Sequence, residues 1–288
     1  MKLSAAEFKI KTALLLCKFA EKAYEAEAEF DMTGEGFEPS VFVEDKKTDT
    51  QGFIAIHDSR NEIVVVFRGT EIKWRDLLTD AKFLASGYTY SSGIKGFFGR
   101  IFLRKRVHSG FLKAYRSVRS TMHEKVLEYV SGRPNDAKVF VTGHSLGGAL
   151  ATLCALDLQE MFIKKNLDEI PITIYTFGSP RVGTKRFANY FNTKIPDSWR
   201  ITNNEDIIPT VPPRLGFLRQ WLSYCHVSHF KFIDENGKFD DTRTDKEEQK
   251  PVKWSALLKL LGEVFDPDSL GDHEIQKYYE RLQALLGA

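Results

Sequence analysis

Hydrophobic positions in this chain change period several times, and the changes mark out its elements. Residues 4–29 carry the run Ala13-Leu14-Leu15-Leu16-Cys17, which continues through Phe19, Ala20, Ala23 and Tyr24 at helical spacing. That pattern predicts an amphipathic helix packed on a domain. Gln51–His57 and Glu62–Phe67 read as strands joined by the turn-like Asp58-Ser59-Arg60-Asn61. Ile63 to Phe67 is apolar without a break, as expected of a strand covered on both faces. A helix is predicted over Phe111–Val130, then a buried strand over Ala137–Thr142, the stretch Gly143–Gly148 and a helix to about Lys165. Further on come a strand at Ile172–Phe177, a short helix at Phe187–Phe191, a strand at Trp199–Thr202 and a late strand at Tyr224–Ile233. Residues 240–250 are polar and loop-like, and two amphipathic helices follow near Trp254–Phe265 and Glu274–Leu286. Strands alternating with helices predict an α/β fold with a mostly parallel sheet and helices on both faces.

Composition narrows the class without naming a function. The 288 residues are 42% hydrophobic and 28% charged, near globular averages, which excludes a disordered chain, a collagen or a coiled-coil rod. Length alone suggests one large domain or two ordinary ones, and a single α/β domain over residues 1–288 is expected. The net charge of +2 gives no argument for nucleic-acid binding. Its distribution is uneven: residues 1–80 hold 11 basic and 16 acidic side chains, whereas residues 81–123 hold 9 basic and none acidic. Cys17, Cys154 and Cys225 are odd in number and far apart, which suits neither a disulfide framework nor a metal site. No membrane span is recognised against the roughly 18 apolar residues one needs. The apolar run near the N-terminus is shorter than a signal-peptide core and lacks a small-residue cleavage site, leaving the compartment open.

Gly143-His144-Ser145-Leu146-Gly147 fits G-x-S-x-G, a pattern that context must support. It follows the apolar Val139-Phe140-Val141 and precedes Gly148-Ala149-Leu150, the strand–turn–helix setting of a nucleophile elbow. The helix that follows aims its first N–H groups toward developing negative charge. His144 directly precedes the serine, so its side chain is expected to point away from the hydroxyl and to be structural. A serine hydroxyl also needs a base and a group to orient that base, in the chain order Ser, acid, His. Glu205 and Asp206 both qualify as the acid, lying just past the Trp199–Thr202 strand and before apolar Ile207 and Ile208. His226, His229 and His273 remain for the base. The first two fall inside an expected strand, while His273 sits in a loop that opens the last helix.

Four stretches resemble the class 3 lipases, the fungal-type triacylglycerol lipase family of α/β-hydrolases. Val65-Val66-Phe67-Arg68-Gly69-Thr70 is similar to the family's oxyanion strand, and Val107-His108-Ser109-Gly110-Phe111-Leu112 to its H-x-G-F segment. Val141-Thr142-Gly143-His144-Ser145-Leu146-Gly147-Gly148-Ala149 resembles its elbow, and Thr176-Phe177-Gly178-Ser179-Pro180-Arg181-Val182-Gly183 its next strand and turn. The resemblance implies an α/β-hydrolase fold and hydrolysis of acylglycerol esters through an acyl-enzyme, with no metal or organic cofactor. It makes Ser145 the nucleophile, prefers Asp206 over Glu205 through its N-x-x-D-x-(I/V)-P context, and makes His273 the base through the Asp272-His273 segment followed by Tyr278. His226 matches a strand histidine without a catalytic role. The backbone N–H groups of Thr70 and Leu146 correspond to the oxyanion hole.

The family's lid follows its oxyanion residue, here Glu71 to Leu78 with Trp74 as apolar anchor, so residues 71–106 are expected to form a lid and insertion. Ser86–Arg106 is longer than the family's usual connection. Within it Ile94, Phe97, Phe98, Ile101 and Phe102 share one helical face, with Lys95, Arg100, Arg104, Lys105 and Arg106 largely outside that stripe. Residues 93–106 therefore read as an interfacial segment attracted to anionic lipid, and the same pattern fits phenylalanines packed on the domain beneath a solvated basic face. Residues 252–288 are expected to carry the base on C-terminal helices. A lipid ester is the expected substrate. Phospholipase A1, galactolipase and feruloyl esterase share this framework, and a non-catalytic lipid-binding domain is disfavoured by the complete set of reactive groups.

Overall fold

A computed structural model describes residues 8–26, 31–69, 85–87, 105–133, 135–204, 206–212, 223–227, 229–243 and 272–287. Its main sheet has seven strands: β1 (Glu38–Asp45), β2 (Thr50–His57), β3 (Glu62–Phe67), β6 (Lys138–His144), β7 (Ile172–Phe177), β9 (Ser198–Asn203) and β11 (Phe230–Ile233), in that spatial order. β1, β2 and β3 pair antiparallel, and every pairing from β3 onward is parallel. A small antiparallel sheet joins β10 (Tyr224–Cys225), β8 (Gly183–Thr184), β5 (Arg106–His108) and β4 (Ala85–Gly87).

Two cores flank the main sheet. β3 puts Ile63, Val65 and Phe67 into one core and Val64 and Val66 into the other, so its unbroken apolar run reflects burial on both faces. On the first face lie α2 (Ser109–Ser131) and α3 (Leu146–Lys165); on the second, α1 (Ile10–Lys22) packs beside α5 (Ile275–Gly287). A short α4 (Lys185–Lys194) adds Phe187 and Phe191 to the first core. α3 is long and apolar enough to cross a membrane by length and composition, but most of it is buried among strands and helices. A helix that is apolar all round belongs in a core. It ends on Asn166 in a left-handed conformation, with Lys164 and Lys165 in the last turn against the negative dipole end.

One charged cluster lies in this first layer. Asp157 of α3 accepts from Tyr115 Oη at 2.7 Å, from Arg119 Nη2 at 3.1 Å and from Arg119 Nε, and pairs with His123 Nε2 at 3.0 Å. Burial alone would raise the carboxyl's pKa. The bonds from His123, Arg119 and Tyr115 overcome that and hold it at about 2.

Several predicted boundaries move. The first helix spans Ile10–Lys22, because past it Tyr24 N–H and Glu25 N–H donate to Glu21 and Lys22 carbonyls three residues back, a tight turn. The expected strand Tyr224–Ile233 is two strands in two sheets, with His226 between them donating to the Pro209 carbonyl at 2.7 Å. β1 was not anticipated, since a half-exposed edge strand containing Pro39 and an irregularity between Pro39 and Val41 lacks a clean alternation. The predicted helix at Trp254–Phe265 lies outside the described residues.

Candidate active site

Strand β6 delivers Ser145 into α3 through a turn in which Ser145 adopts φ 62° and ψ −130°, a backbone region that side chains rarely occupy. The turn closes only because Gly143 and Gly147 lack side chains. A Cβ on Gly143 would strike the Gly147 backbone, and one on Gly147 would strike the Phe67 carbonyl at the end of β3. The Ser145 N–H donates to the Phe177 carbonyl at 2.9 Å, locking the turn to β7. Leu146 opens α3, so its N–H belongs to the first turn, where backbone donors have no intrahelical acceptor.

The other two groups arrive from distant elements on the same sheet rim. Asp206 follows β9, and its Oδ1 accepts the Ile208 N–H at 2.9 Å, which fixes the carboxylate in a local turn. His273 precedes α5. Its Nε2 lies 2.7 Å from Ser145 Oγ and its Nδ1 2.9 Å from Asp206 Oδ2. All three side chains are buried. Because carboxylate oxygen only accepts, Nδ1 of His273 carries the proton, leaving Nε2 to accept from the serine hydroxyl. This arrangement can remove a proton from Ser145 as it attacks and stabilise the imidazolium that results.

Tyr278, one turn into α5, donates to Asp206 Oδ2 at 2.6 Å and accepts from the Asn203 N–H at 3.0 Å. In the sequence it stands only as a residue beside the Asp272-His273 segment. Five residues from His273 it is off the i+3 and i+4 spacing of a shared helical face, and nothing in the sequence linked it to the acid. Asn203 Nδ2 donates to the Asp272 carbonyl at 3.3 Å and Arg281 Nη2 to Asp272 Oδ1 at 3.2 Å, which ties the His273 turn to β9 and α5.

The remaining histidines have other partners. His226 is buried and bonded to Pro209, and burial, then the charges of Arg200 and Arg181, depress its pKa well below the ordinary histidine value. His229 Nδ1 donates to the Ser198 carbonyl at 3.2 Å. His144 points away from the Ser145 hydroxyl, toward Tyr24 and the His273 backbone.

Thr70, Trp74, Ile94, Phe97 and Phe98 lie outside the described residues, as does Glu205. The residue before Thr70 is adjacent to the site, since a Cβ on Gly69 would lie 3.0 Å from Ser145 Cβ. Of the basic block's end, Lys105 is anchored on the domain rather than free. Its Nζ lies 2.9 Å from the centroid of the Tyr190 ring on α4, and Tyr190 Oη donates to Glu160 of α3 at 2.7 Å. Arg106 lies in β5.

Comparisons with known proteins bear on this geometry. A family model, lipase (class 3), matches residues 64–216. A lipase of Rhizomucor miehei is 40% identical over 178 residues, 61% of this chain and 45% of its own. A secreted mono- and diacylglycerol lipase of Fusarium solani is 32% identical over 201 residues, 70% of this chain and 52% of its own. The chain thus spans about half or less of the length of these relatives. Among solved structures, the Rhizomucor miehei lipase in its propeptide complex superposes with a TM-score of 0.65 at 28% identity, covering 83% of this chain and 75% of that one. A triacylglycerol lipase whose catalytic centre is described as a serine protease triad superposes with a TM-score of 0.63 at 28% identity, covering 80% and 82%. The sheet and its helices are those of the α/β-hydrolase fold, and the chain belongs to the class 3 lipase family.

Proposed function

We propose that this chain is a serine carboxylester hydrolase that cleaves acylglycerol esters through an acyl-enzyme. The observation that carries this reading is the continuous chain Ser145 Oγ, His273 Nε2 and Nδ1, Asp206 Oδ2, with links of 2.7 and 2.9 Å. Ser145 attacks the ester carbonyl as His273 takes its proton, and Asp206 holds the imidazole in the tautomer this requires. The oxyanion that forms receives the Leu146 N–H at the start of α3, and the Thr70 N–H by the family resemblance. His273 then returns the proton to the leaving alcohol, and water repeats the sequence on the acyl-enzyme.

Acylglycerols are the substrate class that the relatives support. The Rhizomucor protein is named a lipase and the Fusarium protein a mono- and diacylglycerol lipase. Trp74, Ile94, Phe97 and Phe98 supply the apolar lid face in this reading, and the basic residues of 93–104, ahead of the anchored Lys105 and the β5 residue Arg106, meet an anionic lipid surface.

A serine-directed fluorophosphonate should label the wild-type protein and leave Ser145→Ala unlabelled. Equal labelling of both would end the reading. Hydrolysis rates across esters of increasing acyl length, with and without an interface, separate a lipase from a feruloyl or short-chain esterase.

A further inference from the structure

His144 is the residue sequence reasoning set aside as structural, and its surroundings give it a more specific task. Its Nε2 lies 2.6 Å from the backbone carbonyl of His273. A carbonyl can only accept, so Nε2 carries the proton and Nδ1 is left as an acceptor. The Tyr24 hydroxyl, 2.8 Å from Nδ1, therefore donates into it. The His144 ring also lies against the His273 ring, with centroids 4.5 Å apart and planes at 35°, and the Tyr278 ring lies 6.0 Å from that of His144.

We propose that Tyr24 and His144 are positioning residues for the base: Tyr24 O–H to His144 Nδ1, and His144 Nε2–H to the His273 carbonyl, hold the backbone from which the His273 imidazole is aimed at Ser145. This rests on the reaction proposed above. The bonds from the imidazole to Ser145 and to Asp206 act at the ring and do not restrain the backbone behind it. The His144 link does so, and the tilted ring packed beside it limits movement of the imidazole toward His144. A chain of polarised bonds strengthens each member, and a rigid second layer is what keeps a reacting group within tenths of an ångström of its working geometry. His144 is suited to this because it stays neutral. Burial, then the proximity of His273, holds its pKa well below the ordinary value, so no second cation opposes the imidazolium formed during reaction.

Tyr24 connects this layer to the other side of the site. It follows α1, and a Cβ on Gly69 would collide with its hydroxyl, so the tyrosine sits at the end of the strand leading to residue 70. The segment after α1 thereby contacts both the strand beside the expected oxyanion donor and the support of the base.

The test uses the full chain and a soluble short-chain ester. Tyr24→Phe removes a single hydroxyl and should lower kcat about 5-fold with KM unchanged, the size of one hydrogen bond. His144→Leu should lower kcat about 100-fold, again with KM unchanged, as expected of a misplaced base. His144→Gln retains an N–H donor at the reach of Nε2 and should recover to within about 5-fold of wild type. The low-field proton resonance of the His273–Asp206 bond should broaden in His144→Leu and return in His144→Gln. Wild-type kcat in both Tyr24→Phe and His144→Leu, or equal losses in the Leu and Gln variants, would overturn the inference. A wild-type protein that neither hydrolyses esters nor takes fluorophosphonate would instead overturn the reaction on which it rests.

Discussion

Gly178→Ala is the substitution whose consequence follows most directly from the site's geometry. Gly178 leaves the end of β7 with φ +56°, and a Cβ built there lies 2.6 Å from Asp206 Oδ2 and 3.0 Å from Cε1 and Nδ1 of His273. The glycine is thus the lid over the His273–Asp206 hydrogen bond. Reaching the 3.4 Å of ordinary contact requires about 0.8 Å of movement at the carboxylate. Added to a 2.9 Å bond, that movement exceeds the roughly 3.2 Å limit of a good one. The left-handed backbone costs an alanine roughly 1–2 kcal/mol more. We expect a folded protein, less stable by a few kcal/mol, with kcat reduced about 10²-fold and KM little changed. The ceiling is about 10⁴-fold, the typical loss when the orienting acid no longer holds the base. Steady-state hydrolysis of a soluble p-nitrophenyl ester measures the first effect and urea unfolding the second. Gly34→Ala is the control, because nothing lies within 4 Å of its Cβ. A folded Gly178→Ala enzyme with wild-type kcat would refute the argument that contact at this bond governs the rate.

Acid stability should carry two signatures. His226 and His144 are both neutral when folded and take up protons on unfolding below about pH 6.5, so stability falls as pH drops through that value, by up to about 1.4 kcal/mol per unit for each. His226→Gln should remove about half of that slope between pH 6.5 and 5 in urea titrations; an unchanged slope would place the titration elsewhere. Asp157, held at about 2, contributes about 2 kcal/mol above its unfolded pKa near 4, and this is lost as pH falls from about 4 toward 2. Asp157→Asn should remove that loss from the acid limb of the unfolding curve, and a limb identical to wild type would contradict the assignment. For the lipid surface, Lys95, Arg100 and Arg104 are the cations to neutralise, because Lys105 is anchored on Tyr190 and Arg106 is part of β5. Their replacement by Gln should weaken partition onto anionic vesicles by about 1 kcal/mol per charge, together about 100-fold, while leaving short-ester hydrolysis unchanged. Equal loss in both assays would return the block to solvated surface.

What the sequence disclosed was local. The run Ile63–Phe67 announced a strand buried on both faces because burial leaves a compositional trace at every position. Ser145 was legible because the elbow's glycines are required by contacts within a few residues and with one neighbouring strand. Asp206 and His273 were narrowed by chain order and then chosen by family resemblance, since no residue near either in sequence states its partner. Tyr24 lies 120 residues from His144, and no periodicity links them. Gly178 looked like an ordinary strand-end glycine, because its reason is a pair of side chains from the segments after β9 and before α5. The stretch Tyr224–Ile233 misled for a related reason. Both halves have strand composition, and only the tertiary fold assigns them to different sheets.

The order in which the site's members leave the ribosome has a bearing on when the chain can react. Ser145 and His273 are 128 residues apart. At about 5–20 residues per second, the elbow exists for roughly 6–26 s before the histidine is made. The histidine then reaches Ser145 only once α5 settles beside α1, an attachment anchored by the burial of Tyr278 and Leu282. Those two side chains contribute roughly 1.5–3 kcal/mol each, a modest fraction of a domain's stability. For the reaction proposed above, ester cleavage should then be the last property acquired on folding and should fade in mild urea before the sheet's circular dichroism does; coincident transitions would show that α5 and the sheet unfold as one unit.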